Sequence, residues 1–460
     1  MTVPTTQDTD VLVHDLGIAF SAHGVEAYLV GGFVRDRLLG NPSKDIDIVC
    51  INNDGIAAMR DVAQRRDWSP PVVFERFGTA QIRGDGFIVE TVRARKEQYD
   101  PQSRKPDVAP GTLEEDVMRR DFTVNALCQR FEGEILDLTE RGLADLEAKL
   151  LRTPLDPRET FREDPLRMFR AARFVAQLGF QLADGVLEAM AAEASRASVL
   201  SVERIRDELI RLLISPHARD GINVLRDANL LDFVAPELKP MQGVEQGGYH
   251  IYDVWEHTLH ALDAAPPDLI TRLAVLFHDI GKPPTHEFVD GEKHTFYGHP
   301  QAGAEIAKEA MTRLRFSNDD TDAVAKLVEL HLRPIQYDAQ EWSDAAVRRL
   351  IRDAGELRAK MIDVAKADTV ASSYPGTDEL DQLAARMDAL DQGEAVSQMQ
   401  SPLSGSEIME LAARPPGRWV GAVKSALENA VIEGEITSGD REAAKAWLRA
   451  RPELWNNPTS

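Results

Sequence analysis

The stretch LVGGFVRDRLLGNPSKDIDIV, residues 29–49, constrains this chain more than any other. Leu29 and Val30 close an apolar run that reads as a strand, Gly31 and Gly32 permit backbone angles that a Cβ forbids, and residues 33–39 read as a short helix. Asp45, Ile46, Asp47, Ile48 and Val49 then alternate polar and apolar at the strand period, so both carboxylates project from one face. The turn offers unpaired N–H groups at a helix start, which attract phosphate. Two acids on one face suit a hard divalent cation. A third acid has to come from a neighbouring strand, and Glu90 is the candidate because it interrupts the apolar run FIVETV. Three carboxylates can hold two Mg²⁺ and support in-line phosphoryl transfer. An isolated D-x-D is more often a solvated edge-strand face; joined to a Gly-Gly turn just upstream, the balance reverses.

Around this stretch, residues 1 to about 150 alternate strand-like runs (27–30, 45–51, 79–82 and 87–92) with helical stretches, which predicts an α/β or α+β head. From about 155 onward amphipathic helical runs dominate, at 165–178, 202–213 and 319–331. Residues 236–248, with two prolines and three glycines, mark a boundary, and 372–378 and 398–405 mark weaker ones. The 460 residues, 43% hydrophobic and 28% charged, allow two to four globular domains. No apolar run approaches the roughly 20 residues of a membrane helix, and the first thirty residues do not read as a signal peptide, so the expectation is a cytoplasmic protein. Cys50 and Cys128 are the only cysteines and read as buried thiols rather than a disulfide framework.

A net charge of −23 argues against a protein that coats nucleic acid, and leaves room for one small RNA held on a local basic surface. The basic residues do cluster: Arg93, Arg95, Lys96, Arg104, Lys105, Arg119 and Arg120, then Arg158, Arg162, Arg167, Arg170 and Arg173. Acids between them make this a mixed face.

The pattern GG-x-VRD…D-x-D resembles the nucleotidyltransferase head of the polymerase-beta superfamily and, more narrowly, class II tRNA nucleotidyltransferases (CCA-adding enzymes) and bacterial poly(A) polymerases. ARKEQY at 94–99, SRKP at 103–106, EEDVMRRDFTVNAL at 114–127, LDLTERGLADL at 136–146 and REDPLRMFRAARF at 162–174 follow in the family's order. The resemblance implies that Asp45 and Asp47 hold Mg²⁺, that Glu90 assists at the attacking 3′ hydroxyl, and that Gly31, Gly32 and Arg35 seat a triphosphate. Arg119, Arg120 and Asp121 would clamp phosphate and sugar, with Asn125, Arg170 and Arg173 also at the nucleotide. Asp164 and Arg167, three apart on a predicted helix, share one face and pair an acceptor with a fork of donors. Such a pair accepts the amines of cytosine and adenine and leaves the carbonyls of uracil and guanine unpaired, selecting CTP and ATP. Residues 98–112, polar and with three prolines, correspond to the family's flexible loop, which favours addition of the terminal adenosine.

A second set of residues lies in HIYDVWEHTLHAL, RLAVLFHDIGKPPTHEF, YGHPQAGAEIA, VELHLRP and AKADTV. His278 and Asp279 end a strongly apolar run, where polar side chains need partners. His257, His278, Asp279 and Asp368 match the H…HD…D pattern of the HD phosphohydrolase superfamily, and His299 and His331 complete six ligand-type residues. Imidazole plus carboxylate suits a divalent transition metal or Mg²⁺. His250, His260, His286 and His294 match no ligand position. The resemblance implies phosphatase or 2′,3′-cyclic phosphodiesterase activity.

The expected fold is α+β and multidomain: a small mixed-sheet nucleotidyltransferase head at 1–150, then an all-α neck at 151–235, an HD body at 236–385 and a helical tail at 386–460. PPGRWVGAVKSALENAVIEGEI, 415–436, resembles the family tail. The implied partners are CTP, ATP and the 3′ end and acceptor and TΨC arms of tRNA, with no DNA and no membrane. Two alternatives stay open at this point. One is a poly(A) polymerase, or an enzyme adding only CC or only A; the other is an HD phosphohydrolase whose head merely binds RNA.

Overall fold

The computed structural model describes residues 5–74, 78–98, 107–247, 251–289, 293–373, 376–394 and 401–456. SRKP with Arg104 and Lys105, the middle of the 98–112 segment, His250 and parts of both weaker boundary segments lie outside them. The chain divides into two compact units, Met1–Pro236 and Glu237–Ser460.

The first unit opens with α1 (Thr6–Ala22), fixed by a reciprocal cap between Thr5 and Asp8. Then come β1 (Ala27–Val30), α2 (Gly32–Leu38), β2 (Asp45–Cys50), α3 (Ile56–Arg65), β3 (Val72–Phe74), β4 (Thr79–Gly84) and β5 (Phe87–Arg93). β6 (Arg95–Gln98) and β7 (Asp107–Pro110) pair as a separate antiparallel ribbon leading into α4 (Leu113–Met118). With β8 (Cys128–Gln129) and β9 (Ile135–Leu136), the main sheet has the order β3-β4-β5-β2-β1-β8-β9. β2 runs antiparallel to β1 and parallel to β5. Ile46 and Ile48 on β2 are fully buried while Asp45 and Asp47 face water, the alternation expected of a strand with one covered face.

After α5 (Gly142–Glu147) the unit turns helical: α6 (Pro157–Glu163), α7 (Leu166–Leu178), α8 (Val186–Glu193), α9 (Val202–Leu213), α10 (Ala218–Asp227) and α11 (Leu231–Val234). The mixed-sheet head followed by a helical body is the fold the sequence predicts. The helical part nevertheless holds one parallel pair, β10 (Leu150–Leu151) with β11 (Gln181–Leu182). Two-residue strands carry no readable period.

The second unit is built on α12 (Val254–Ala264), α13 (Leu269–Phe277), α14 (His299–Arg313), α15 (Asn318–Leu330), α16 (Leu332–Ile335), α17 (Asp344–Ala354), α18 (Arg358–Ala371) and α19 (Asp378–Glu394). A short hairpin, β12 (Glu287–Val289) with β13 (Lys293–Thr295), interrupts them. In α13 every residue from Thr271 to Phe277 is buried, so this helix forms the centre of the unit. At its end, a Cβ on Gly281 would stand 2.1 Å from the carbonyl oxygen of His299 and 2.6 Å from the nitrogen of Gly303. Only glycine lets α14 cross there. Helices α20 (Gly405–Ala412), α21 (Trp419–Ile432) and α22 (Arg441–Arg449) pack Leu403, Ile408, Val423, Leu427, Ala444 and Leu448 into a small core of their own.

Candidate functional site

The larger site is a cleft of about 740 Å³ in the first unit. At one side stand the acids of the sheet. Asp47 lies opposite Glu90 in the β2–β5 register, and the strand period puts Asp45 beside them, so all three carboxylates share one face. Asp47 touches water but is enclosed on most sides: burial raises its carboxyl, Arg120 pulls it down, and Glu90 and Asp45 push it further up. Oxygen donors of one sign in one place fit a hard divalent ion. Gly31 adopts φ 74°, and a Cβ there would lie 3.1 Å from Arg120 Nη1 and 3.5 Å from Asp47 Oδ2. The glycine therefore keeps open the space between a guanidinium and a carboxylate.

The arginines of the cleft are held by acids behind them. Asp116, wholly buried, accepts from Arg119 at 2.5 Å and Arg120 at 3.1 Å. Arg35, also buried, donates through Nη1 to Asn125 Oδ1 at 2.5 Å; Asn125 Nδ2 donates to Asp121 Oδ1 at 3.0 Å; and Arg170 Nη2 donates to Asp121 Oδ2 at 2.5 Å. Arg35, Arg170 and Arg173 all lie against the ring of Phe174, at 5.2, 5.2 and 4.1 Å from its centroid. Arg173 is buried against Glu208 at 2.6 Å.

Burial works against an ionised Asp121, yet Arg170, the Asn125 amide and the Phe122 N–H bring its carboxyl down to about 2. A depressed folded value means stability that is complete above the ordinary 3.8 and fades as pH falls toward 2. The shift corresponds to about 2 kcal/mol at neutral pH, with about half left near pH 3. Asp121→Asn should therefore lower the unfolding free energy by about that amount at pH 7, and urea titrations at pH 7, 4 and 3 should show the difference shrinking. A pH-independent difference would assign the effect to lost hydrogen bonds instead.

The structure corrects the reading of Asp164 and Arg167 as two positions on one helix face. Asp164 ends α6 in an extended conformation (φ −131°, ψ 98°), Pro165 follows, and α7 begins at Leu166. Proline disfavours the helical conformation in the residue before it, which opens the break. Asp164 Oδ1 accepts from the Leu166 N–H at 3.1 Å, and its carboxylate lies 3.8 Å from Arg204. Arg167 donates to the carbonyls of Thr160 at 3.2 Å and Arg119 at 2.6 Å. Both residues still line the cleft, together with Gly31, Gly32 and Asp47.

Phe174, Arg196, Arg204 and the buried Asp116 belong to this site and were not predicted as part of it. For Asp116 a signal existed, since Arg119 and Arg120 follow it at the i+3 and i+4 spacing of a helix. Arg196 and Arg204 stand beyond the motif region and had none.

The second unit brings its six predicted residues together as two buried sets of three: His257, His278 and Asp368, and Asp279, His299 and His331, the ligand atoms of each within 4.8 Å of one another. Asp279 stands between them, with Oδ2 3.2 Å from His278 Nε2 and Oδ1 3.5 Å from His299 Nε2. His278, His299 and His331 each direct Nδ1 at the carbonyl three residues earlier, Val275, Phe296 and Val328, at 2.7, 2.8 and 2.7 Å. A carbonyl only accepts, so Nδ1 carries the proton and Nε2 of a neutral ring presents a lone pair to the centre. His299 Nε2 and His331 Nε2 are 3.3 Å apart, and lone pairs so placed beside a carboxylate fit a divalent metal. Burial pushes His331 down to about 3, with His278 adding to the shift. Lys282 was not predicted; its buried ammonium donates to Asp279 Oδ2 at 2.7 Å and to Gln246 Oε1 at 2.5 Å. It sits three residues after Asp279, a spacing legible in HDIGK.

Three family profiles match the chain: a poly(A) polymerase head domain over residues 27–152, a probable RNA- and SrmB-binding site of polymerase A over 179–242, and an HD domain over 247–393. The chain is 36% identical to an A-adding tRNA nucleotidyltransferase of Deinococcus radiodurans, over 92% of this chain and 95% of that one. It is 33% identical to a CC-adding tRNA nucleotidyltransferase of Thermus thermophilus, over 92% and 93%. Its fold is similar to that of the Bacillus stearothermophilus CCA-adding enzyme in complex with CTP, with a TM-score of 0.69, 24% identity and 98% of each chain covered.

Proposed function

Because the chain belongs to the class II CCA-adding/tRNA nucleotidyltransferase family, with a poly(A)-polymerase-type head, an RNA-binding neck and an HD domain, we propose that it builds or repairs the whole 3′-terminal CCA of tRNA from CTP and ATP. The observation that carries this is the β2–β5 register, which aligns Asp45, Asp47 and Glu90 beside a cleft lined with arginine. In this reading Asp45 and Asp47 hold Mg²⁺, which when bound spreads the charge of the transferring phosphoryl group. Glu90 holds the proton of the tRNA 3′ hydroxyl. Gly31, Gly32, Arg35 and Arg120 seat the triphosphate; Asn125 and Asp121 link Arg35 to Arg170, and Arg35, Arg170 and Arg173 pack around Phe174 at the nucleotide. The 3′ oxygen bonds to the α-phosphorus as pyrophosphate leaves in line.

Asp164 accepts from the exocyclic amine of cytosine or adenine, and Arg167, freed from the Thr160 carbonyl, donates to the neighbouring ring atom. An amine common to both bases is what one site needs to take CTP and ATP in turn. In the same reading residues 1–150 are the head, 151–235 the neck, 236–385 the HD domain and 386–460 the tail. The neck and tail hold the acceptor and TΨC arms by shape and phosphate contacts. His257, His278, Asp279, His299, His331 and Asp368 hold a divalent transition metal or Mg²⁺ for phosphoester hydrolysis.

A narrower reading, addition of the terminal A alone, is favoured by the 36% identity to an A-adding relative. Purified protein with Mg²⁺ is given tRNAs ending before CCA, after C and after CC, with CTP, ATP or both, and products are read to one nucleotide. Extension of every substrate to CCA is the expected result. Action on the CC-ended tRNA alone establishes the narrower reading, a stop at CC a CC-adding enzyme, and long adenosine tails a poly(A) polymerase. No extension at all overturns the reading of the head.

A further inference from the structure

Next to the His/Asp centre, the second unit presents a cluster of rings that neither proposed reaction uses. His286 Nε2 and His294 Nδ1 are 2.9 Å apart and the two ring planes differ by 5°. A hydrogen bond between ring nitrogens runs in the ring plane, so the imidazoles lie edge to edge as one flat plate. Phe296 lies 5.1 Å from His286 and 20° from its plane, and Phe288, across the β12–β13 register, stands 4.9 Å from His294. Phe288 is 56% exposed and Tyr297 82%. Rings grouped in water beside a site, unlike rings scattered singly, mark a binding surface.

The cluster is continuous with the centre. Lys282, whose Nζ donates to Asp279, lies 5.7 Å from the Phe296 ring, and Tyr297 precedes His299 by two residues. Flat ring faces stack on nucleobases of any identity, and a neighbouring centre suited to phosphoesters specifies what the base is attached to. We propose that His286, Phe288 and His294 of the hairpin, with Tyr297 just after it, form a nucleobase-stacking platform that holds the base of an ester whose phosphorus sits at the His/Asp centre. This rests on the phosphohydrolase reading of that centre. In the reaction a water oxygen bonds to phosphorus, one ester P–O bond breaks, and the ribose oxygen leaves with a proton from the water.

The test uses the full chain loaded with Mn²⁺ and compares adenosine 2′,3′-cyclic phosphate with methyl ribofuranoside 2,3-cyclic phosphate, the same ester without a base. The expected kcat/KM favours the nucleoside by about tenfold or more, and Tyr297→Ala and Phe288→Ala each reduce that preference by about fivefold or more. Equal rates for the two esters, or a preference untouched by both variants, overturn the platform while leaving the phosphohydrolase reading in place. A tRNA ending in a 2′,3′-cyclic phosphate, assayed alongside, separates an RNA end from a free nucleotide as the better substrate. Independently of turnover, the fluorine resonance of Tyr297 in 3-fluorotyrosine-labelled protein, assigned with Tyr297→Phe, should shift with the nucleoside ester and not with the base-free one. If neither ester is hydrolysed, the phosphohydrolase reading falls, and the resonance alone decides the platform: a shift upholds it and no shift overturns it.

Discussion

Asp47→Ala is expected to lower nucleotide addition at least about a thousandfold, the several kcal/mol that a metal clamp on a transferring phosphoryl group supplies. Asp47 is central in the register, opposite Glu90 on one strand and Val30 on the other, and next to the turn where Gly31 leaves room for both Arg120 and the Asp47 carboxylate. The variant should not unfold the chain. Burial and the acids beside it raise the Asp47 carboxyl in the folded state, so above its folded value the ionised group costs stability rather than adding it. Single-turnover extension and thermal melting, run on the same preparation, separate the two effects. Loss of extension with an unchanged or higher melting temperature is the expected pair, and extension within tenfold of wild type would place the metal site elsewhere.

His278→Ala with Asp279→Ala should do the reverse: metal bound by the second unit and any phosphoester hydrolysis disappear, while tRNA extension continues. The substitution removes one residue from each set of three, including the carboxylate that stands between them. It also leaves the Lys282 ammonium without the Asp279 oxygen at 2.7 Å. An unpaired buried charge costs about 3–5 kcal/mol, so the double variant is expected to melt at a lower temperature. His278→Gln, which leaves the Lys282 pair intact, is the control that loses metal without that cost. Metal content by atomic absorption, hydrolysis and extension are read on both. Full metal content in His278→Gln would falsify the assignment of the centre, and loss of extension in that variant would tie it to the fold.

The parts of the two sites that were legible in the sequence are those carried by a period or a tight turn. Alternation at Asp45–Asp47 put both acids on one face, and the glycine pair marked the turn between β1 and α2. The pairing of β2 with β5 was not legible, because register between strands forty residues apart leaves no local trace; Glu90 was found only as an acid in an apolar run. Reading a helix through Asp164 passed over the proline at 165, a local signal that was available. The partners that fix the histidines, backbone carbonyls three residues back, belong to helix ends and become visible only with the fold. The β12–β13 hairpin escaped because three-residue strands are shorter than the window over which alternation can be recognised.

The strand pattern gives way to helices near residue 150, which is where a protein engineer would cut to exchange heads between relatives. The ring of Phe174 lies well past that cut, yet it supports Arg35 from α2 as well as Arg170 and Arg173 from its own helix, and Arg170 in turn holds Asp121. The grafted piece has to run through α7, because the end of the sheet is not the end of the working part. The same contacts make residues 35, 121, 125, 170 and 174 one unit to be moved together, since replacing any one removes a partner of the others.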